Sequence, residues 1–347
     1  MYNQTNNQEM MLARLLRRLR RSALLPGPEM DAYARDFKPR APFEPRTANP
    51  CMVDLRSAVF TLGQEGYKIE GSPSTGFNLA GEPRQFNAMG VMSYLDQDML
   101  GWPFLYFPET DSTNTQLKRM AALGAAHGTC LMADFQNAGR GRLNRTWLAQ
   151  PGQGLLFSVL FRPLAALNQA FHFTALMGLS VCYALERLGF KPQIKWPNDI
   201  YLNDAKLCGM LSELGVNEAG LDYLVVGIGV NVNQVNFAHI PQAVTSLARA
   251  GGRRCNRTKL LAAILNQAGR LYSAWQADHT CWLAAYRERS WLLGRQVVVR
   301  DEAREYEGRA FDFVEDGSLL LLGDNNDTIS VSHGDVSILA IDGQYRR

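Results

Sequence analysis

The chain has 347 residues, 46% of them hydrophobic and 20% charged, which is the balance of a soluble globular protein with room for two or three domains. No run of 18 apolar residues occurs, so no membrane-spanning segment is expected. A net charge of +3 is too small to imply a nucleic-acid partner by itself.

The six cysteines are widely scattered and none forms a CxxC pair, which argues against a zinc ribbon or a thioredoxin motif. They read as reduced, buried thiols of a cytosolic protein. The five histidines are equally dispersed, no HExxH is present, and no protein-built metal site is visible. The chain opens on the polar MYNQTNNQEMM, without the apolar core of a signal peptide, so a cytoplasmic location is expected.

Leu12, Leu15, Leu16 and Leu19 recur at helical spacing and predict an amphipathic helix. Arg14, Arg17, Arg18, Arg20 and Arg21 cover its other faces. Such a surface either meets nucleic acid or membrane, or is the solvated side of a packed helix. Pro26-Gly27-Pro28 ends it, a short helix follows at 29–37, and four prolines make 38–50 an extended loop. A helix over 52–62, closed by Gly66, then strands at 67–70 and 77–79 around a turn, suggest a winged helix-turn-helix. Arg56 is the one cation on the face that would enter a DNA groove, and Asp54 lies beside it.

A strand at 104–107 runs into Glu109-Thr110-Asp111-Ser112-Thr113-Asn114. Side-chain oxygens in such a run cap a helix, expected at 116–123. The same Ser112, Thr113 and Asn114 also offer hydrogen bonds to a small polar ligand. A strand at 129–135 delivers Gln136 to the loop that organises the chain, DFQNAGRGRLNRTWLAQPGQG at 134–154.

That loop holds five glycines or prolines and three arginines, Arg140, Arg142 and Arg145. Glycines let backbone approach a ligand, and arginines present forked donors to phosphate or carboxylate. The loop therefore folds over an anion or is a solvated basic surface loop. In the first case, guanidiniums and backbone N–H groups of 139–142 reach one ligand. It is not a Walker A loop, since GxxxxGK[ST] occurs nowhere. It is not a dinucleotide fingerprint either: the third glycine is missing and no clear βαβ unit surrounds it.

A strand at 155–161 and an apolar core helix at 172–188 follow. A strand at 193–196, a turn at 197–199 and a hairpin of 200–202 with 207–214 place Lys195, Asp199 and Lys206 near strand ends. Lys206 precedes an apolar strand; buried there it needs an anionic partner, and otherwise it is an ordinary hairpin lysine. The strand 223–230 contains Gly227 and Gly229, which let backbone approach backbone or ligand. Residues 258–286 are helical in period. Short strands at 296–300, 305–313, 319–322 and 328–332 suggest a small β-barrel.

Taken together and in this order, GRGRLNRTW (139–147), KWPND (195–199), KLCGML (206–211) and GIGVN (227–231) resemble biotin protein ligase. DSTN (111–114) and the strand-rich tail fit as well. The N-terminal part is similar to the winged-helix domain of the bifunctional ligase/biotin-operon repressor class, best over 53–79. The proline-rich 38–50 insertion departs from that class. The family reads Arg-Gly where this chain has Leu143-Asn144. Asn tolerates the left-handed conformation, so the backbone path is expected to survive.

The resemblance implies an α+β protein of three domains: winged-helix-like 1–83, a class II synthetase-like central mixed sheet with helices at 84–290, and an SH3-like β-barrel at 291–347. It implies attack of the biotin carboxylate on the α-phosphorus of ATP, then transfer of biotin to a lysine of a biotin carboxyl carrier protein. Arg142 and Lys206 are the expected catalytic residues. Ser112, Thr113, Asn114, Gln136, Gly139, Arg140, Gly141, Arg142, Lys206 and Gly209 would hold biotin. Arg145, Trp147, Lys195, Asn198, Asp199 and Asn231 would form the ATP side. Mg²⁺ would ride on the phosphates, with Asp199 as a water-mediated contact. A homodimer and operator DNA, met through Arg56, are further implied partners, with no membrane. The alternatives are a lipoate ligase-like adenylating enzyme and a DNA-binding biotin sensor with secondary catalysis.

Overall fold

The structure is a computed structural model that describes residues 2–21, 55–72, 74–96, 100–101, 103–163, 165–218, 220–238, 240, 242–301, 304–339 and 345–346. It divides into two units, Met1–Leu95 with Asn256–Ala262, and Asp96–Cys255 with Ala263–Arg347.

In the first unit, α1 (Tyr2–Arg21) precedes α2 (Leu55–Gln64), the antiparallel hairpin of β1 (Lys68–Ser72) and β2 (Gly76–Gly81), and α3 (Ala88–Tyr94). Leu12, Leu15, Leu16 and Leu19 are buried, as their spacing predicts. The arginine face is not simply solvated. Arg17 donates to the carbonyls of Met92, Ser93 and Leu95, the open end of α3. Arg20 donates to Glu82 at 2.6 Å and stacks 3.6 Å over the Tyr94 ring. Among the described residues helix α2 spans Leu55–Gln64, and Gly66 beyond its end takes φ +86. The expected helix 29–37 and loop 38–50 lie outside the described residues, as does the side chain of Arg56.

In the second unit a seven-stranded sheet is built from β3 (Phe104–Thr110), β4 (Cys130–Gln136), β5 (Gly154–Phe161), β6 (Gln193–Lys195), β7 (Asp199–Leu202), β8 (Ala205–Asn217) and β9 (Gly220–Asn231). Its order is β3-β4-β5-β9-β8-β7-β6. Only β3 and β4 run parallel, joined by α4 (Thr113–Ala122); every other pair is antiparallel. This mixed sheet matches the expected central architecture. The parallel β3–α4–β4 unit precedes the arginine loop, which itself joins the antiparallel β4 and β5, so no βαβ unit surrounds it. β3 runs three residues beyond its apolar stretch, through Pro108-Glu109-Thr110. Every residue of β5 is buried, as a central strand requires. Leu117 and Ala121 of α4 pack on Leu131, Leu160 and Val225 of the sheet.

The helix α5 (Ala170–Glu186) is buried all round from His172 to Val181 and packs against β7, β8 and β9. Its His172 accepts Trp275 Nε1 at Nδ1 and donates from Nε2 to Glu315 O, a structural role. The single helix expected at 258–286 is two, α7 (Arg257–Ala277) and α8 (Leu283–Glu288), with Asp278 accepting from Thr280 at the break. The short α6 (Leu247–Gly251) precedes them.

The tail forms a six-stranded antiparallel sheet: β10 (Gln296–Arg300), β11 (Glu305–Phe313), β12 (Leu319–Leu322), β13 (Thr328–Val331), β14 (Asp335–Leu339) and β15 (Tyr345–Arg346). β14 and β15 were not read from the sequence. β14 pairs with β10 on the side opposite β11. Among the described residues no helix is long and apolar enough to cross a membrane.

Candidate active site

A cleft of about 280 Å³ in the second unit gathers residues from β4, the start of α4, the arginine loop, β7–β9, the segment 240–244 and β14. Its polar end lies at the start of α4. Ser112 is the residue before the helix but makes no side-chain capping bond; Asp111 instead accepts from Ser112 N–H and Gln116 Nε2. The hydroxyl of Ser112 is thus not committed to the helix end, and it lines the cleft. The helix starts at Thr113, three residues earlier than expected, with Ser112 at the N-cap in extended backbone.

Gln136 Oε1 accepts both the backbone N–H of Thr113 at 2.7 Å and its hydroxyl at 3.0 Å. The amide is thereby fixed with its nitrogen as the free donor. Ser158 Oγ lies 2.7 Å from both Thr113 Oγ1 and Asn114 Oδ1. Asn114 Nδ2 donates to Leu211 O and to Glu213. A short-chain polar pocket of this kind suits a ligand with a carbonyl and N–H groups.

The charged end lies across the cleft. Lys206 Nζ is 2.7 Å from Asp199 Oδ1, the anionic partner that its burial demanded. Arg142 donates to Asn198 Oδ1 at 3.3 Å and to Gly334 O at 3.2 Å. Burial pulls its guanidinium below the ordinary value, opposed by Asp335 and Asp199, yet arginine remains charged. Arg145 is ion-paired with Asp335 of β14. Asn231 closes this end from the last residue of β9.

Between the two ends the floor is glycine. A Cβ on Gly229 would come within 2.4 Å of the Trp147 ring, and one on Gly209 within 2.8 Å. One on Gly227 would lie 2.2 Å from Asn114 Oδ1. The close approach inferred for Gly227 and Gly229 is thus made by side chains over bare backbone. Among the described residues Trp147 Nε1 is buried with no hydrogen-bond partner, a donor left for a ligand.

The arginine loop is a tight excursion closed by its own backbone. Gly141 N–H donates to Arg145 O at 2.7 Å and Trp147 N–H to Gly139 O at 3.0 Å. Gly141 N–H is therefore engaged inside the loop rather than offered to a ligand. The left-handed position falls on Leu143, at φ 51 and ψ 42, one residue before the Asn144 that was expected to take it. Arg140 lines the cleft and pairs with Glu213 at 3.2 Å.

Of the expected site residues, Gly139 and Lys195 do not line the cleft. Gly139 is buried under Trp147 O and Gln136, where a Cβ would clash at 2.8 Å, so it shapes the loop. Lys195 is 6% exposed, donates to Tyr201 Oη at 3.3 Å and faces the Tyr201 and Trp291 rings. Burial pushes it down to about 8, with Lys206 adding to the shift and Asp199 opposing it. Ser158, Glu213, Gln242 and Asp335 were missed. A lone hydroxyl in LLFSVLF and a lone acid in KLCGMLSEL were signals, since buried polar groups need partners. Gln242 and Asp335 carried none, because tertiary packing alone brings them in: Lys206 N–H meets Ala243 O, and Thr245 N–H meets Lys206 O.

Residues 106–231 match the model of the Biotin/lipoate A/B protein ligase family. The chain is 30% identical over 265 residues to the Bifunctional ligase/repressor BirA of Bacillus subtilis, covering 75% of this chain and 82% of that protein. It is 33% identical over 244 residues to the Biotin--[acetyl-CoA-carboxylase] ligase of Mycobacterium tuberculosis, covering 68% and 89%. A solved structure of the biotin protein ligase from Aquifex aeolicus in complex with biotin and ATP is similar with a TM-score of 0.59 at 30% identity, covering 67% of this chain and 97% of that one. Likeness of this extent, running through the strands that build the cleft, makes the chain a member of the Biotin/lipoate A/B protein ligase family, on its biotin protein ligase branch.

Proposed function

We propose that the chain is a biotin–[biotin carboxyl-carrier protein] ligase that makes biotinyl-5'-AMP from biotin and ATP and passes biotin to one lysine of a carrier domain. In the first step a biotin carboxylate oxygen bonds to the α-phosphorus as the bond to pyrophosphate breaks. In the second the lysine amine bonds to the activated carbonyl, AMP leaves and the amine loses a proton. The observation that carries this reading is the two-ended cleft, with a hydrogen-bonding pocket at one end and Arg142, Lys206 and Arg145 at the other.

Two anions must meet there, so cations and positioning supply the rate. Arg142 and Lys206 take the carboxylate and the α-phosphate. Ser112, Thr113, Asn114 and Gln136 hold the ureido ring over Gly209 and Gly227. Arg145, Trp147, Asn198, Asp199 and Asn231 take the nucleotide, and Lys195 supports that side from beneath. Mg²⁺ enters on the phosphates of ATP. Among the described residues no group of three His, Cys, Asp or Glu could hold a metal, and Asp199 and Asp335 each face a cation.

We read residues 1–83 as winged-helix-like and 291–347 as an SH3-like barrel. The order of α2 and the β1–β2 hairpin supports the former, and the six-stranded tail sheet the latter. A homodimer in the cytoplasm that binds operator DNA through the N-terminal part completes the reading. The name of the Bacillus subtilis relative favours that second role. Engagement of Arg17 and Arg20 within the first unit weighs against α1 as its DNA face. The test is transfer of biotin to a carboxylase carrier domain with ATP and Mg²⁺, with lipoate as competitor. Carrier-lysine-dependent transfer is the expected result; no adenylate and no transfer from folded protein would overturn it.

A further inference from the structure

Glu213 of β8 does not line the cleft, and its side chain is only 17% exposed. One carboxylate oxygen accepts Lys118 Nζ at 2.7 Å, the other accepts Asn114 Nδ2 at 2.9 Å, and Arg140 Nη2 lies 3.2 Å from both. Burial raises this carboxyl, but hydrogen bonds from Lys118 and Asn114 and the charges of Lys118 and Arg140 outweigh it and hold it below its usual range.

An ionised carboxylate only accepts hydrogen bonds, so it selects the NH₂ side of the Asn114 amide. The second N–H of that amide goes to Leu211 O at 3.0 Å. Both donors therefore face β8, and Oδ1 faces the other way, toward Ser158 and the bare backbone of Gly227. There it keeps a lone pair for an N–H of a cyclic urea. A flipped amide would set donor against donor.

We infer that Glu213 is a positioning residue for the ring of biotin: it fixes the amide of Asn114 as an acceptor and ties Arg140 of the ligand loop to the same point. The inference rests on the reading of the cleft as a biotin site. It adds a residue that acts through Asn114 and touches no substrate atom.

The test is steady-state adenylate formation with biotin and ATP varied separately. Wild-type protein that makes no biotinyl adenylate would end the biotin reading and this inference together. With an active wild type, Glu213→Ala raises KM for biotin about tenfold and leaves KM for ATP within roughly twofold. Glu213→Gln, whose amide oxygen still accepts from Asn114, restores KM for biotin. Lys118→Ala leaves it unchanged. An unchanged KM for biotin in Glu213→Ala, an equal rise for both substrates, or no rescue by Gln overturns the assignment. Should the alanine variant not fold, Glu213→Gln and Arg140→Ala are compared for release of the adenylate. Equal acceleration, with no further gain in the double variant, supports the link to the loop; additive effects refute it.

Discussion

Lys206 Nζ stands 2.7 Å from Asp199 Oδ1, and the two side chains are only 19% and 15% exposed. The carboxylate holds the ammonium in place at the cleft before substrate arrives. Lys206→Ala should lower adenylate formation by about 10²–10³-fold. Far-UV circular dichroism should remain that of the wild type. Near-normal turnover would remove Lys206 from the mechanism.

The ion pair of Arg145 with Asp335 and the bond from Arg142 to Gly334 O fasten the loop to β14. Asp335→Ala should release the loop in ligand-free protein and speed tryptic cleavage after Arg140, Arg142 and Arg145. Cleavage at the wild-type rate would mean that the backbone bonds of the loop hold it unaided.

Gly227→Ala should displace Asn114, since the new methyl would lie 2.2 Å from its Oδ1. Calorimetric biotin affinity should fall about tenfold, the worth of one well-made hydrogen bond. ATP affinity should change little. Equal losses for both ligands would argue for general collapse of the floor.

Lys195 has its folded-state value near 8 against an ordinary 10.5, so between these limits the unfolded chain binds more protons. Stability therefore rises with pH across that window, as the cost of burying the charge is relieved. Lys195→Met should stabilise the protein at neutral pH by on the order of 1–3 kcal/mol and abolish the rise. Urea midpoints at neutral pH and at the top of the window measure both. A rise that persists in the variant would assign it to another group.

Leu143 holds a left-handed backbone at φ 51 and is 57% exposed. Leu143→Gly should therefore be neutral or stabilising by about 1 kcal/mol, whereas the β-branched Leu143→Val should destabilise the loop. Thermal unfolding of the two variants in parallel decides it; a less stable glycine variant would mean that the leucine side chain contributes packing.

Elements with a strong local period were legible before the structure: the leucine stripe of α1, the apolar β5 and the hairpin of β7 and β8. The turn of that hairpin places Asn203 and Asp204 at φ 52 and 58, as short polar residues allow. The buried pair of Lys206 was legible because a lysine before an apolar strand demands an anion. Asp335 was not, because no local pattern connects His333-Gly334-Asp335 with a loop some 190 residues earlier. Gly139, read as a ligand-side glycine, packs against Trp147 O and Gln136 instead, for a related reason. A glycine that admits a ligand and one that admits a neighbouring carbonyl read alike in sequence.

The separation of Arg145 from Asp335 also sets a schedule. At about 5–20 residues per second, the carboxylate is synthesised roughly 10–40 s after its guanidinium. Throughout that interval the nascent chain carries a loop of arginines with no β14 to fasten it. The last strands of this protein thus mark the moment in biosynthesis when the loop ceases to be an open basic segment.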